Sequence, residues 1–470
     1  MSGGVLRPDL CVIGGGSGGL SVAAGAVQMG ASVVLVEGGE MGGDCLNAGC
    51  VPSKALLAAA KRARAPDPAF GLRGPAPEVD FPAVMRHVRD VIGQIAPHDS
   101  VERFEGLGVR VIRDWARFVG PDAASAGGFE IRPRRFVIAT GSRPAVPPIP
   151  GLDGVPYLTN ETVFGLRERP HHLIVLGGGP IGIEMALAFR RLGAAVTVVE
   201  AARALGREDP EAAALVLARL RAEGATVREG VAAEAAGPGA RLTLADGTVV
   251  EGSHLLVAVG RTPALERLNP EAAGVRTDRG GVVVDDGLRS VSNARVYAVG
   301  DAAGRGQFTH LAGWHAGLVI RNALFRLPVR AKTAHVPRAT YADPELAQVG
   351  MTEDEARAAH GSRASVARAE FAENDRARAE RAGPGFVKVM VGPRGRILGA
   401  TVVGPQAGEL IQTWALAMSA GLKIGAVAGV VAPYPTLGEA NKRAAGQHFA
   451  PKLFANPWVA RAVRLLAKLG

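Results

Sequence analysis

Leu10-Cys-Val-Ile-Gly-Gly-Gly-Ser-Gly-Gly-Leu20 is a short apolar run that opens into Gly14-x-Gly16-x-x-Gly19. The run reads as a strand, Leu20 to Met29 as a helix, and Ser32-Val-Val-Leu-Val-Glu37 as a second strand. In that order each residue has a physical task. Gly14 allows the tight turn, Gly16 lets backbone N–H groups approach a pyrophosphate, and Gly19 lets the helix lie close on the strand. Ser17 and Gly18 share the turn. Glu37 ends the second strand, where a carboxylate takes ribose hydroxyls. Cys11, inside the strand, reads as core filling.

The pattern recurs. His172-Leu-Ile-Val-Leu-Gly-Gly-Gly-Pro-Ile-Gly-Ile-Glu184 sets Gly177-x-Gly179-x-x-Gly182, with Ile181 inside it, after a strand. A helix runs to Arg191, and Ala195-Val-Thr-Val-Val-Glu200 is the next strand. Gly14 to Glu37 and Gly177 to Glu200 span equal lengths of chain, and two such units predict two bound dinucleotides.

Between the two units stands Met41-Gly-Gly-Asp-Cys-Leu-Asn-Ala-Gly-Cys-Val-Pro-Ser-Lys54, with two of the three cysteines, Cys45 and Cys50. The gap between them is too wide for a thioredoxin-type Cys-x-x-Cys, and no further Cys or His at ligand spacing supports a zinc site. Leu-Asn-Ala-Gly can loop back so that the sulfurs meet as a disulfide. The other reading packs both cysteines as small hydrophobes, a role that needs no surrounding glycines. Pro52 suits the first turn of a helix continued by Ser53 to Ala60, so Cys50 lies at a helix N-terminus, which favours thiolate.

Gly42-Gly-Asp-Cys-Leu-Asn-Ala-Gly-Cys-Val-Pro-Ser-Lys54 resembles the redox-disulfide motif of the flavin-dependent pyridine nucleotide–disulfide oxidoreductases. That family includes dihydrolipoamide dehydrogenase, glutathione reductase and mercuric reductase. The resemblance implies bound FAD and a Cys45–Cys50 disulfide, with Cys50 as the charge-transfer thiol and Cys45 as the interchange thiol. It also implies that Lys54, held by Glu184, sits beside the flavin. The likeness runs from Leu10 to about Phe449. Arg135-Phe-Val-Ile-Ala-Thr-Gly-Ser-Arg-Pro144, with Thr140, Gly141 and Ser142, is similar to the family's element beside the flavin nucleotide. Val296-Tyr-Ala-Val-Gly-Asp301, followed by Gln307-Phe-Thr-His-Leu-Ala312, resembles the second flavin motif, with Asp301 taking ribityl hydroxyls. Gly43, Ala116, Gly260, Gln307 and Thr309 complete the implied cofactor positions. His254 to Pro263 resembles the return segment, with Ala264 where the family has asparagine. The flavin domain is therefore expected to be split around the nicotinamide domain. Glu200 favours NADH, while Arg203 and Arg207 leave NADPH open. His310 and His315 read as structural.

Pro337 to Gly350 opens a segment that resembles the family's dimerisation domain, and Ala432-Pro-Tyr-Pro-Thr-Leu-Gly-Glu439 stands near its end. Thiol-disulfide members have a histidine at the position of Tyr434, supplied by the partner subunit as acid–base; Glu439 is retained. A phenol with a pKa of about 10 is a poor proton shuttle at neutral pH. Mercuric reductases are similar in having tyrosine there and in the Gln307-Phe308 pair. They also carry a C-terminal cysteine pair, and often a metal-binding domain in front, whereas no cysteine follows Cys50 here.

The rest of the chain bounds the reading. With 470 residues it exceeds one core, and apolar content of 47% is ordinary for a globular protein. A single reactive cysteine pair fits a reducing, cytoplasmic setting, and the N-terminus shows no signal-peptide pattern. The net charge of +10 is spread without a long basic run, which argues against nucleic acid. Leu410 to Pro433 reads as short buried elements rather than a membrane span. Ala65 to Pro82 reads as a loop, Phe81 to Leu107 as a helix, and Val109 to Val119 as one strand. The basic amphipathic tail Asn456 to Gly470 reads as packing on its own protein, with contact to a membrane surface as its other use.

The expected fold is α/β, with two Rossmann-like domains for FAD and NAD(P) and an α+β dimerisation domain. The limits are 1–150 and 273–335 for FAD, 151–272 for NAD(P), 336–455 for the interface and 456–470 for the tail. The expected protein is a homodimer, with Tyr434 contributed across the interface and no resident metal. The expected activity is mercuric reductase-like reduction of a small electrophile, such as a metal ion or quinone. The alternatives are a dihydrolipoamide dehydrogenase or other disulfide reductase, and a slow-turnover redox-sensing or membrane-associated flavoprotein.

Overall fold

The apolar runs Leu10–Ile13 and Val33–Val36 are strands buried on both faces, the signature of a parallel sheet covered by helices. The computed structural model describes residues 4–64 and 66–468. Two compact units interleave along the chain. One holds the residues up to Gly177 with Ala188–Ala201 and Val231–Lys332; the other holds Gly178–Leu187, Ala202–Gly230 and the residues from Thr333 on.

The first unit is built on a parallel sheet in the order Val296–Ala298, Arg135–Ile138, Leu10–Ile13, Val33–Val36, Arg110–Ile112. Strand order reverses at Leu10–Ile13, and open α/β sheets bind ligands in the crevice at the carboxyl ends of such a pair. Helices Ser17–Gln28 and Thr309–Phe325 pack together beside that crevice. A second parallel sheet in this unit runs Tyr157–Leu158, His254–Val257, His172–Leu176, Ala195–Glu200.

The second unit carries an antiparallel sheet ordered Pro337–Thr340, Glu345–Gly350, Ile397–Gly404, Phe386–Val391, Ser365–Glu370. Against it packs wholly buried Trp414, whose Nε1 donates to Asn441 Oδ1 at 2.9 Å. Lys388, on the strand Phe386–Val391, lies only 5% exposed with Nζ 2.9 Å from Asp209 Oδ2, 3.0 Å from Glu211 and 3.3 Å from Glu353.

Two expectations need correction. The stretch from Phe81 to Leu107 is not one helix: Phe81–Ile95 is capped by Asp80, and a new helix, Val101–Gly106, is capped by Ser100. Pro97 stands between them, without an N–H to donate and with a ring that crowds the preceding turn. Val109 to Val119 is two strands in different sheets, Arg110–Ile112 and Arg117–Gly120. Asp114 breaks them, accepting from the N–H groups of Trp115 at 2.8 Å and Gly127 at 2.6 Å. In the tail, helix Pro457–Leu466 has no residue buried against its own chain. The apolar stretch from Leu410 is cut into short helices, Gln412–Ser419 and Ile424–Ala428, and among the described residues no helix is long and apolar enough to cross a membrane.

Replacing Lys388 with methionine leaves buried Asp209 without its cation. The expected cost is about 3–5 kcal/mol, at the lower end because Glu211 and Glu353 can rehydrate. Thermal unfolding of the purified variant checks this; an unchanged melting temperature would mean that Asp209 is solvated.

Candidate active site

Two glycines seat the cysteine segment. Gly42 and Gly43 have φ of 86° and 61°, a left-handed backbone that disfavours other residues. A Cβ on Gly43 would lie 2.7 Å from Gly16 Cα, and the Gly42 N–H donates to Gly15 O at 2.9 Å. The segment thus lies directly on the first glycine turn. A short helix, Gly43–Asn47, presents Cys45, and Asn47 Nδ2 closes the loop on Met41 O and Gly43 O at 3.0 and 2.9 Å. At Gly49 the chain doubles back so tightly that a Cβ would meet Asp44 O at 2.9 Å. Helix Cys50–Arg62 then begins at Cys50 itself.

The two sulfurs are not joined in this structure and lie within hydrogen-bonding reach of each other. The Cys45 S–H bond to Cys50 lowers the Cys50 pKa to about 6 against the opposing effect of burial, helped by Thr309 Oγ1 at 3.5 Å and by the charge of Lys54. The same bond, with burial, drives the Cys45 thiol upward. Cys50 is thus the more acidic thiol of the pair and Cys45 the less acidic one. Cys11 is sealed in the core, where burial pushes its thiol up to about 12.

The strand ends around this pair form a cradle. Gly14 has φ of 112°, and a Cβ there would lie 2.3 Å from Ala139 O; one on Gly19 would lie 1.8 Å from Gly14 O. Gly16, by contrast, is open, with Gly43 Cα at 3.8 Å from its ideal Cβ, and it begins helix Ser17–Gln28 without a side-chain cap. Glu37, at the end of its strand, accepts from the N–H groups of Gly15 and Gly39. Ala116 is buried, and Thr140 Oγ1 is buried with no protein partner. An open helix N-terminus for a pyrophosphate, a strand-end carboxylate for a ribose and an unsatisfied hydroxyl fit a flavin dinucleotide.

A polar chain joins that cradle to the cysteines. Ser142 Oγ donates to Asp301 Oδ2 and accepts from Arg261 Nε at 2.8 Å. Arg261 Nη2 reaches Asp44 Oδ1 at 3.2 Å, and Asn160 Nδ2 donates to the same oxygen at 2.8 Å. Burial raises the Asp301 pKa, against the pull of Ser142 and Arg261. Gln307 Nε2 donates to Arg261 O at 3.3 Å, and Thr309 starts helix Thr309–Phe325. Arg261, Asp44 and Asn160 were not assigned roles from sequence, although Arg261 and Asp44 stand inside the two motifs read there. His315 is buried beside Gly300, whose N–H it accepts at Nδ1 (3.2 Å), and burial lowers its pKa to about 4. His310 stacks on Phe308.

The second glycine turn repeats the first. Gly177 also has φ of 112°, its Cβ would lie 2.4 Å from Ala258 O, and Gly179 is open. Ile181 is exposed, Gly182 lies in helix Pro180–Arg191, Glu200 ends its strand, and Gly260 has φ of 144°. Glu184 Oε1 accepts the Tyr341 N–H at 2.8 Å. Tyr434 is 71% exposed, and its hydroxyl donates to Asp375 Oδ2 at 3.1 Å, a bond that raises its pKa. Glu439 accepts the Thr436 N–H at 3.4 Å and so holds the turn behind Tyr434. Asp375 carried no signal in the sequence.

In the reduced protein, alkylation of Cys50 should rise with pH through about 6 and then level off, because only the thiolate reacts. Thr309→Ala removes a donor to the thiolate and should shift the profile to higher pH. Asp44→Asn removes a charge that raises the Cys50 pKa and should shift it lower. Mass-spectrometric mapping of iodoacetamide adducts checks both; a midpoint near that of an ordinary thiol would contradict the assignment.

Residues 8–316 match the pyridine nucleotide-disulphide oxidoreductase family, and residues 336–445 match its dimerisation domain. Mercuric reductase of Streptomyces lividans is 38% identical over 457 residues, covering 93% of this chain and 95% of that protein. Dihydrolipoyl dehydrogenase of Thermus scotoductus is 36% identical over 460 residues, covering 93% and 96%. The HOCl-induced flavoprotein disulfide reductase RclA from Escherichia coli, solved as a Cu(II) complex, is similar with a TM-score of 0.82 at 29% identity, covering 92% and 98% of the two chains. The chain is thus a member of the pyridine nucleotide-disulphide oxidoreductase family, whose enzymes use FAD and a nicotinamide nucleotide.

Proposed function

We propose that this enzyme uses NAD(P)H, FAD and the Cys45–Cys50 pair to reduce a small electrophile that needs no histidine base, a metal ion or a quinone, in the manner of mercuric reductase. The observation that carries the reading is Tyr434, a phenol bonded to Asp375 where thiol-handling members keep histidine. FAD, when bound, accepts hydride from the nicotinamide and supplies the electron pair that opens the disulfide. Gly14, Gly16, Ser17, Gly18, Gly19, Glu37, Gly43, Ala116, Thr140, Gly141, Ser142, Asp301, Gln307 and Thr309 are the residues proposed to hold it. Lys54 is proposed to bias its potential with Glu184 as partner, by resemblance alone. Gly177, Gly179, Ile181, Gly182, Glu200 and Gly260 are assigned to the nicotinamide nucleotide.

The chemistry of the pair explains why no external base is required. Closing the Cys45–Cys50 bond from the thiol–thiolate state releases two electrons and the single proton on Cys45. Cys50 thiolate can take that proton as Cys45 becomes the nucleophile. A divalent metal ion takes the electrons and the proton leaves to water. A quinone takes the electrons, that proton and a second one from water. A dithiol substrate differs, because it must lose a thiol proton to attack, and a disulfide substrate's leaving thiolate must gain one; both transfers are the task of the missing histidine. The proposed assembly is a cytoplasmic homodimer with Tyr434 facing the partner's site, and the proposed domain limits are those read from sequence.

The comparable identity to a dihydrolipoyl dehydrogenase keeps lipoamide chemistry as a second reading. Steady-state NADH oxidation with mercuric ion, a quinone and lipoamide separates the two. Lipoamide turnover is expected to be slow and to rise with pH. Tyr434→His should raise it by roughly one to two orders of magnitude, within the usual 10²–10⁴-fold range of a general base, and should leave metal-ion or quinone reduction unchanged. Fast lipoamide turnover with a neutral bell-shaped profile would overturn the reading.

Glu200 should set a preference for NADH of at least a few-fold by repelling a 2′-phosphate. Glu200→Ala should relax it, as Arg203 or Arg207 then meets the phosphate. Ratios of kcat/KM for the two nucleotides check this, and a wild-type preference for NADPH would contradict it.

A further inference from the structure

The helix Pro457–Leu466 has two faces, and none of its residues is buried. Asn456 caps it, its Oδ1 accepting the Trp458 N–H at 3.0 Å. Trp458, Ala462, Leu465 and Leu466 recur at helical spacing on one side, while Arg461, Arg464 and Lys468 form a stripe along its edge. The apolar side chains stand in solvent: Trp458 is 71% and Leu466 64% exposed, and Phe454 just before the helix is 87% exposed. From Ala450 to Lys468 the sequence has four basic residues and no acidic one. The segment lies beyond residue 445, where the match to the dimerisation domain ends.

We infer that this helix docks the enzyme on an anionic lipid surface, lying in the plane of the headgroups. Charge and shape select that occupant. An apolar face of this width costs free energy in water and gains it at an acyl boundary, and a stripe of cations without a carboxylate is attracted to anionic headgroups. The Arg461 guanidinium sits 5.0 Å from the centroid of the Trp458 ring. That arrangement lets an indole rest at the boundary while the charge stays among phosphates. A protein partner matching this stripe would need a complementary acidic groove.

The test uses the full-length, FAD-loaded protein with vesicles of phosphatidylcholine alone and of phosphatidylcholine mixed with phosphatidylglycerol. Co-flotation is expected only with the mixed vesicles and is expected to weaken with added salt. The wild type should show a blue shift of tryptophan emission on binding that Trp458→Phe lacks. Arg461→Gln, Arg464→Gln and Lys468→Gln together should weaken binding roughly a hundredfold. Leu465→Ser with Leu466→Ser should abolish it, and both variants should keep the bound flavin and NADH oxidation of the parent. No flotation, or equal flotation with neutral vesicles, would overturn the inference. Loss of the dimer in Leu465→Ser/Leu466→Ser without any vesicle would assign the face to the partner subunit instead.

Discussion

The contact of glycine on glycine between the nucleotide turn and the cysteine segment is what the site depends on. Gly42 and Gly43 reach Gly15 and Gly16 with no side chain between them, so the helix that presents Cys45 is fixed relative to the strand end that receives a dinucleotide. Any Cβ at Gly43 would push the two backbones apart. The cysteines are then close to the cradle because of backbone geometry, not because of a flexible arm. This rigidity matters because electron transfer between bound groups tolerates little misplacement.

Electrostatics does the rest of the positioning. Asp301, Ser142, Arg261, Asp44 and Asn160 form one connected chain from the cradle to the residue before Cys45. Arg261 lies between two carboxylates, so neither is left uncompensated. Asp44 raises the Cys50 pKa, while Lys54 and the Cys45 hydrogen bond lower it, and the lowering wins.

Much of this was legible in the sequence because the functional parts are written as local patterns. The two glycine turns, Glu37, Glu200 and the cysteine segment each need a residue type at a fixed spacing, and that requirement survives in the letters. What was not legible depends on distance along the chain or on a single local break. Asp375 meets Tyr434 across fifty-nine positions, and Asn160 meets Asp44 across one hundred and sixteen. Pro97 and Asp114 were hidden inside segments whose apolar periodicity continued past them, so one helix and one strand were read where each is broken in two. The tail was read correctly as amphipathic, but nothing local says whether such a face finds a partner on its own chain.

The central claim is that Cys45 and Cys50 are the electron-accepting pair of this enzyme and that a nicotinamide nucleotide reduces them. Differential alkylation under anaerobic conditions, before and after one equivalent of NADH, tests it most directly. The oxidised enzyme should show neither cysteine alkylated. After NADH the pair should become alkylated in each subunit, Cys50 first as its thiolate, while Cys11 stays protected in the core. Two thiols that are free before the nucleotide is added, with no gain afterwards, would contradict the account.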